Sequence, residues 1–586
     1  MRAYFLVIGW LLLGVCPVWA KPNVLLIYTD DHGWPDLGAA GVYQDLKTPN
    51  IDALAASGVR ATSGYSTAPQ CVPSRAGLLI GKSQNRFGVE SNGESLKGFD
   101  EELTIAEQLK KVGYVTGQIG KWHLGPTSAI PEHGFDDVYS KNANRPCYAN
   151  YTLAGETIPM QQVNDGLYHL DACSRAAVAF IERHADQPFF LYLAYRAPHV
   201  PLDAPRKYLD RFPEKMPERR RQCLAMLSSM DDGIGEIRAA LAAQGLLENT
   251  LIFYIGDNGA PLKIHKLDAP GGGPGWDGSL NEPMNGEKGM LAEGGIRVPF
   301  LVSWPGVIPP GQVVDTPLVS LDVAATALTL AGADVSGLDG VNLVPYLSGK
   351  ADAPKRALYW RWIAQAAVRE GKWKLLRGGE RSYLFDLVAD PGEKTNLFGA
   401  QPEVARRLSD QLVRWSRDMQ PPGLIKAGMS EVWEQYFDHY LDGKSARAVT
   451  RNTSEKAWVS RGCVAKKTKR GLVITPSIEK RKSRPFIACA GIKNISGPAE
   501  VLIRFQSRKP GRVGVAWRSK GQKDFVSEQV QYLETKGSDE FQDHRLAVPL
   551  ASPIIHLRVL LPTDQCVVHH IKIRGRAGEL QEWTFL

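Results

Sequence analysis

Four oxygen donors fall in two adjacent pairs, each at the end of an apolar run. Asn23 to Thr29 leads into Asp30-Asp31-His32-Gly33, and Leu251 to Ile255 leads into Gly256-Asp257-Asn258-Gly259. Three carboxylates and an amide oxygen are hard donors, suited to Ca²⁺ or Mg²⁺ rather than to zinc or copper. A third stretch, Cys71-Val72-Pro73-Ser74-Arg75, carries different chemistry. Pro73 suits a first helical turn, where its missing N–H leaves nothing unpaired. The run Ala76-Gly77-Leu78-Leu79-Ile80 takes that helix into a core, so Cys71 lies at a helix N-terminus. Free N–H groups and the helix dipole favour an anion there, and Arg75 adds a fixed charge about one turn on. Read alone, such a cysteine is more often a buried structural thiol.

The elements that must position these residues are legible too. Continuous apolar runs are strands buried on both faces of a parallel sheet, and open α/β sheets bind ligands beyond the carboxyl ends of such strands. Pro188 to Tyr195 is another such run, followed by Arg196-Ala197-Pro198-His199. Gly113 to Ile119 is β-prone, with Lys121 and His123 just past its end. Two apart in an extended segment, they point to one side. Thr48 to Gly58 reads as a capped helix, and Thr104 to Val112 as another that opens with a Thr-x-x-Glu capping box. Residues 271–289 form a glycine-rich loop of the kind that often carries function.

The Cys71 stretch resembles the C-x-P-S-R signature of the type I sulfatases. Gly113 to Gly125 resembles the second sulfatase signature, and Pro198-His199 the family's Pro-His element. Lys288-Gly289 with Met290 to Pro299 resembles a recurrent sulfatase block, and Asp386 to Leu397 with the helix 402–419 its smaller C-terminal subdomain. The motifs follow the family's order across about residues 21–420. The resemblance implies the alkaline phosphatase superfold: α/β, with a mixed, largely parallel sheet flanked by helices and a smaller C-terminal antiparallel-sheet subdomain. It also implies that Cys71 is oxidised to formylglycine, whose hydrate is the nucleophile. Asp30, Asp31, Asp257 and Asn258 become ligands of Ca²⁺, with Mg²⁺ as the alternative. Arg75, Lys121 and Lys288 balance charge on the sulfate. His123 deprotonates or holds the hydrate, and His199 with Lys288 protonates the leaving oxygen. Which histidine is acid and which base stays open; Arg297 reads as structural.

The remaining features bound the setting. At 586 residues the chain exceeds one ordinary core, and a 44% hydrophobic fraction marks it as globular. Residues 1–20 read as a cleavable export leader, with periplasm or exterior as the destination. Then follow a catalytic domain over 21–335, the subdomain over 336–420, a helix and basic linker over 421–470, and an accessory β-rich, sandwich-like domain over 471–586. After the leader no run approaches 18 uninterrupted apolar residues, so no transmembrane helix is expected. Residues 451–586 carry 25 Lys+Arg against 12 Asp+Glu, whereas 1–450 carry 45 against 50. A basic tail is either a solvated face or a means of steering a polyanion. With Trp276 in the glycine-rich loop it suits a sulfated glycan as partner, beside a formylglycine-generating maturation enzyme and without nucleic acid. Two other readings stay open: a phosphatase or phosphonate hydrolase of the same superfold, or a silent polyanion-binding protein. The sugar, the sulfated position, endo or exo action, oligomeric state and cysteine pairing are not legible.

Overall fold

The computed structural model describes residues 21–262, 278–424 and 431–444, and 453–585 apart from 455–457, 477–484, 491, 493–494, 520–521, 523–524, 527, 550–551 and 577. The expected leader and Trp276 lie outside the described residues. The chain divides into two compact units at residues 446 and 447.

The first unit is built on a ten-stranded sheet. Its centre is the expected set of apolar strands, Asn23–Asp30, Val115–Gly120, Phe189–Pro198 and Thr250–Gly256. Asn23–Asp30 lies between Phe189–Pro198 and Thr250–Gly256, parallel to both, with Ile27 opposite Leu193 and Tyr254. Val115–Gly120 runs parallel on the far side of Phe189–Pro198. These strands are buried on both faces because each faces its own apolar layer. Leu26 and Tyr28 pack toward Ala76 and Leu79 of one helix, and Leu25 and Ile27 toward helices 169–183 and 218–243. Burying each such side chain contributes roughly 1.5–3 kcal/mol. The parallel strands therefore deliver Asp30, Lys121, His199 and Asp257 to one edge of the sheet. Phe300–Ser303, Cys147–Tyr151 and Thr157–Val163 join antiparallel, which makes the sheet mixed.

A four-stranded antiparallel sheet follows over residues 357–386, flanked by the helix Pro402–Ser416. The helix expected within 421–470 is Glu431–Tyr440. The second unit holds two antiparallel sheets around Trp458, Trp517, Trp583 and a set of Val, Ile and Leu side chains. The reading of 421–470 as helix and linker needs one correction. Trp458–Arg461 and Cys463–Thr468 are strands of these two sheets. Cys463 and Ala465 face inward while Val464 and Lys466 face out, so the basic residues that suggested a linker are the wet side of a strand. Among the described residues no helix is long and apolar enough to cross a membrane. The seven described cysteines are all buried.

Candidate active site

Cys71 is the first residue of the helix Cys71–Ile80, whose ten residues are all buried. The helix stops at Gly81, which adopts φ 75°, a left-handed cap that suits glycine. Ser74 shares a 2.8 Å hydrogen bond with Tyr28 Oη, tying the first turn to the central strand. The Cys71 Sγ lies 3.3 Å from Asp30 Oδ1 and 3.3 Å from Lys288 Nζ. Burial, then the nearby Asp257, pushes the thiol up, so the unmodified side chain stays protonated and is a poor nucleophile.

Three cations converge on the same point. Arg75 is fully buried, with Nη2 2.8 Å from Asp257 Oδ2 and 3.8 Å from Asp30 Oδ1, and it donates to Tyr192 Oη at 3.0 Å. Lys121 Nζ lies 2.5 Å from Asp30 Oδ2, and Lys288 Nζ pairs with Asp31 Oδ1. Burial would raise the Asp30 carboxyl, but Lys121, His199, Arg75 and Lys288 outweigh it and hold that carboxyl well below its usual range. For Lys288, burial is outweighed by Asp31, Cys71, Asp30 and Asp257, and the ammonium is held well above its ordinary value.

His199 Nδ1 donates to the Val200 carbonyl at 2.7 Å, and Nε2 lies 3.5 Å from Asp31 Oδ2. Burial takes the imidazole down to about 3 despite Asp30 and Asp31, so His199 rests neutral. Lys121 and His123 do not continue an extended segment as expected. The strand ends at Gly120, which has φ 87°, and His123 has φ 65°. Lys121 consequently turns inward and is buried, while His123 is exposed, within electrostatic reach of Lys121, Arg75, Asp30 and Lys288. Asp31 also has a positive φ, 59°. Non-glycine residues in that region are uncommon and gather where a site over-determines the backbone.

The carboxylate set fits a hard divalent cation. Asp30, Asp31, Asp257 and Asn258 are all fully buried, and Asn258 Oδ1 has no hydrogen-bond partner among the described residues. Asn258 Nδ2 donates to Asp31 Oδ1 at 2.7 Å, which brings the amide into the cluster. Donor atoms of Asp30, Asp31, Cys71 and His199 lie within 4.8 Å of one another. Asp257 is not in that tightest group: its Oδ2 is held by Arg75 and its Oδ1 accepts from Asp31 N at 3.0 Å. Burial and Asp30 push Asp257 up to about 7. Three carboxylates facing Arg75, Lys121 and Lys288 leave the cluster near neutrality, so an added divalent cation gives it the excess positive charge an anionic substrate needs.

All ten expected residues thus come together at one sheet edge. The sequence reading missed three supports. Tyr192 holds Arg75, Asn92 Oδ1 accepts from Val72 N at 3.0 Å, and Glu287 is buried beside Lys288. Only Asn92, in a Ser-Asn-Gly-Glu turn, carried a local signal, that of an Asx side chain available to cap backbone N–H groups. Arg297 pairs with Glu293 at 3.2 Å and donates to the Thr62 carbonyl.

Comparison with known proteins points the same way. The sulfatase family model matches residues 22–333, and that of the N-sulphoglucosamine sulphohydrolase C-terminal region matches 286–418. Arylsulfatase A of Bos taurus is 34% identical over 452 residues, covering 66% of this chain and 85% of its own. N-acetylgalactosamine-6-sulfatase of Canis lupus familiaris is 32% identical over 395 residues, covering 62% and 73%. The structure of Ps i-CgsB in complex with k-i-k-neocarrahexaose superposes with a TM-score of 0.61 at 30% identity, covering 72% of this chain and 97% of that one.

Proposed function

The chain belongs to the sulfatase family and is a sulfuric ester hydrolase by that membership, and on this premise we propose that it is exported and removes sulfate from sulfated carbohydrates. The observation that carries the reading is the approach of Asp30 and Lys288 to Cys71 Sγ, each at 3.3 Å, on the first turn of a buried helix. Matured to formylglycine, residue 71 supplies a hydrated aldehyde, with one hydroxyl to attack sulfur and a second whose deprotonation expels sulfate. Asp30, Asp31, Asp257 and Asn258 would hold Ca²⁺, which when bound would polarise sulfate oxygens and favour the ionised hydroxyl.

The chain's own residues do the rest. Arg75, Lys121 and Lys288 offset the charge that develops on the sulfate oxygens, in a site that shields them from water. His123 deprotonates or holds the hydrate. His199, held through Nδ1 by the Val200 carbonyl, is neutral without substrate and takes up a proton at Nε2 beside the bound sulfate anion, where with Lys288 it protonates the leaving oxygen. A carbohydrate substrate is supported by the relatives named for N-acetylgalactosamine 6-sulfate chemistry and by the structure solved with a carrageenan oligosaccharide. Export is supported by the leader-like residues 1–20.

Assay of the mature protein on 4-nitrophenyl sulfate, 4-nitrophenyl phosphate, a phosphonate ester and a panel of sulfated glycans tests this. Release of inorganic sulfate from at least one glycan, faster than any phosphorus ester is hydrolysed, is the expected result. Faster hydrolysis of the phosphorus esters would replace the sulfatase reading with that of a phosphatase or phosphonate hydrolase.

A further inference from the structure

The matched family regions end at residue 418, and the helix Glu431–Tyr440 lies beyond them. It is nonetheless built into the first unit. Tyr436 and Phe437 are buried in the same apolar cluster as Met290, Leu291, Trp362 and Leu376. The Phe437 ring fills the space over Gly378, where a Cβ would lie 2.3 Å from its Cζ. Arg381 reaches Asp438 at 2.9 Å and Asp442 at 3.2 Å, and Tyr383 Oη donates to Asp442 Oδ1 at 2.8 Å.

The last residue of the helix lands on the segment that carries Lys288. Tyr440 Oη donates to Glu287 Oε1 at 2.9 Å, and the Tyr440 carbonyl accepts from Asn285 Nδ2 at 2.6 Å. Glu287 is fully buried, and its other oxygen accepts from the backbone N–H of Leu262, four residues past Asn258. Lys288 N in turn donates to the Ala260 carbonyl at 3.2 Å. One carboxylate thus joins the end of the helix to the loop following Asp257-Asn258, and its backbone continues directly into Lys288. The backbones here are in close contact: a Cβ on Gly259 would lie 1.8 Å from the Gly294 carbonyl oxygen. A shift of Glu287 has no slack to absorb it before Lys288.

We propose that Tyr440, through Glu287, is a positioning residue for Lys288, so that a helix outside the matched family regions sets the geometry of the sulfate-binding cation. The inference rests on Lys288 acting as proposed above. The test is a double-mutant cycle on the full-length, matured protein, with kcat and KM measured on 4-nitrophenyl sulfate for Tyr440→Phe, Lys288→Ala and the pair. Displacement of a reacting group by about 1 Å costs up to roughly 10²-fold, so removal of one restraining hydrogen bond is expected to lower kcat on the order of tenfold with little change in KM. In the Lys288→Ala background the same change should cost nothing further. Glu287→Gln, measured in both backgrounds, gives the same reading should Tyr440→Phe not fold. Wild-type kcat in Tyr440→Phe and Glu287→Gln, or equal proportional losses in both backgrounds, would overturn the inference while leaving the role of Lys288 intact. A silent Lys288→Ala would overturn both.

Discussion

Replacing Glu393 with glutamine should flatten a pH dependence of stability that the wild-type chain carries between pH 4.5 and about 7. Glu293 and Glu393 are both buried and share one cation, Lys374 Nζ, which lies 2.8 Å from each. Burial opposes ionisation of Glu293, but Lys374, Arg297 and Arg369 win and hold it down to about 2. Glu393 is left with the remainder. Burial pushes it up to about 7 against the pull of Lys374, and the charge on Glu293 adds to that rise. The folded state therefore keeps a proton on Glu393 that the unfolded chain gives up near 4.5. Because the folded value is raised, stability is greatest below pH 4.5 and falls as pH rises toward 7. At about 1.4 kcal/mol per pH unit, the interval amounts to about 3 kcal/mol. Glutamine keeps the carbonyl that can accept from Glu293 N, a 2.6 Å contact at the head of the short helix Glu293–Ile296, and leaves the strained backbone of residue 393 (φ 50°) unaltered. Urea unfolding of wild type and Glu393→Gln at pH 5, 6, 7 and 8 reads the effect as a difference, in which other titrating groups cancel. The variant should gain on the wild type as pH rises and level off above about 7. A difference that stays constant, or one in which the wild type gains, would refute this account of the buried pair.

Two further outcomes follow from the site. Chelation with EDTA should lower both the thermal midpoint and turnover, and Ca²⁺ should restore them; a cation at 100 times its Kd contributes about 2.7 kcal/mol to the folded state. A midpoint indifferent to EDTA and Ca²⁺ would rule out Asp30, Asp31, Asp257 and Asn258 as a cation site. His199→Ala should slow a sugar sulfate by roughly 10²–10⁴-fold, the range for loss of a general acid. On 4-nitrophenyl sulfate, whose leaving group needs no proton, the loss should be far smaller. Equal losses on the two substrates would remove His199 from leaving-group protonation.

Much of the first unit was legible because its strands are buried on both faces. Asn23–Asp30 and Thr250–Gly256 read as unbroken apolar runs, and a parallel sheet delivers whatever follows such runs to one edge. The Cys71 helix was legible from Pro73 and the apolar run behind it. What stayed hidden depends on partners distant in sequence. Lys374 is fully buried because two glutamates, 81 and about 20 residues away, close over it, and nothing adjacent to it in sequence signals either partner. Glu287 and Tyr440 are separated by 153 positions, and neither carries a local signal of the other. The inward turn of Lys121 follows the positive φ at Gly120, a bend that the β-prone run leading into it does not announce. In the second unit, outward lysines masked the inward Cys463 and Ala465, so two strands read as linker.

The central claim is that residue 71 becomes a formylglycine that cleaves sulfate esters. Mass spectrometry of the peptide spanning Cys71, from protein made in its native host, tests it most directly when paired with turnover of 4-nitrophenyl sulfate by the same preparation. Conversion of the cysteine to the aldehyde, with turnover that disappears in Cys71→Ala, is the predicted result. An unmodified Cys71 in a host that matures other sulfatases, or turnover that survives Cys71→Ala, would contradict it.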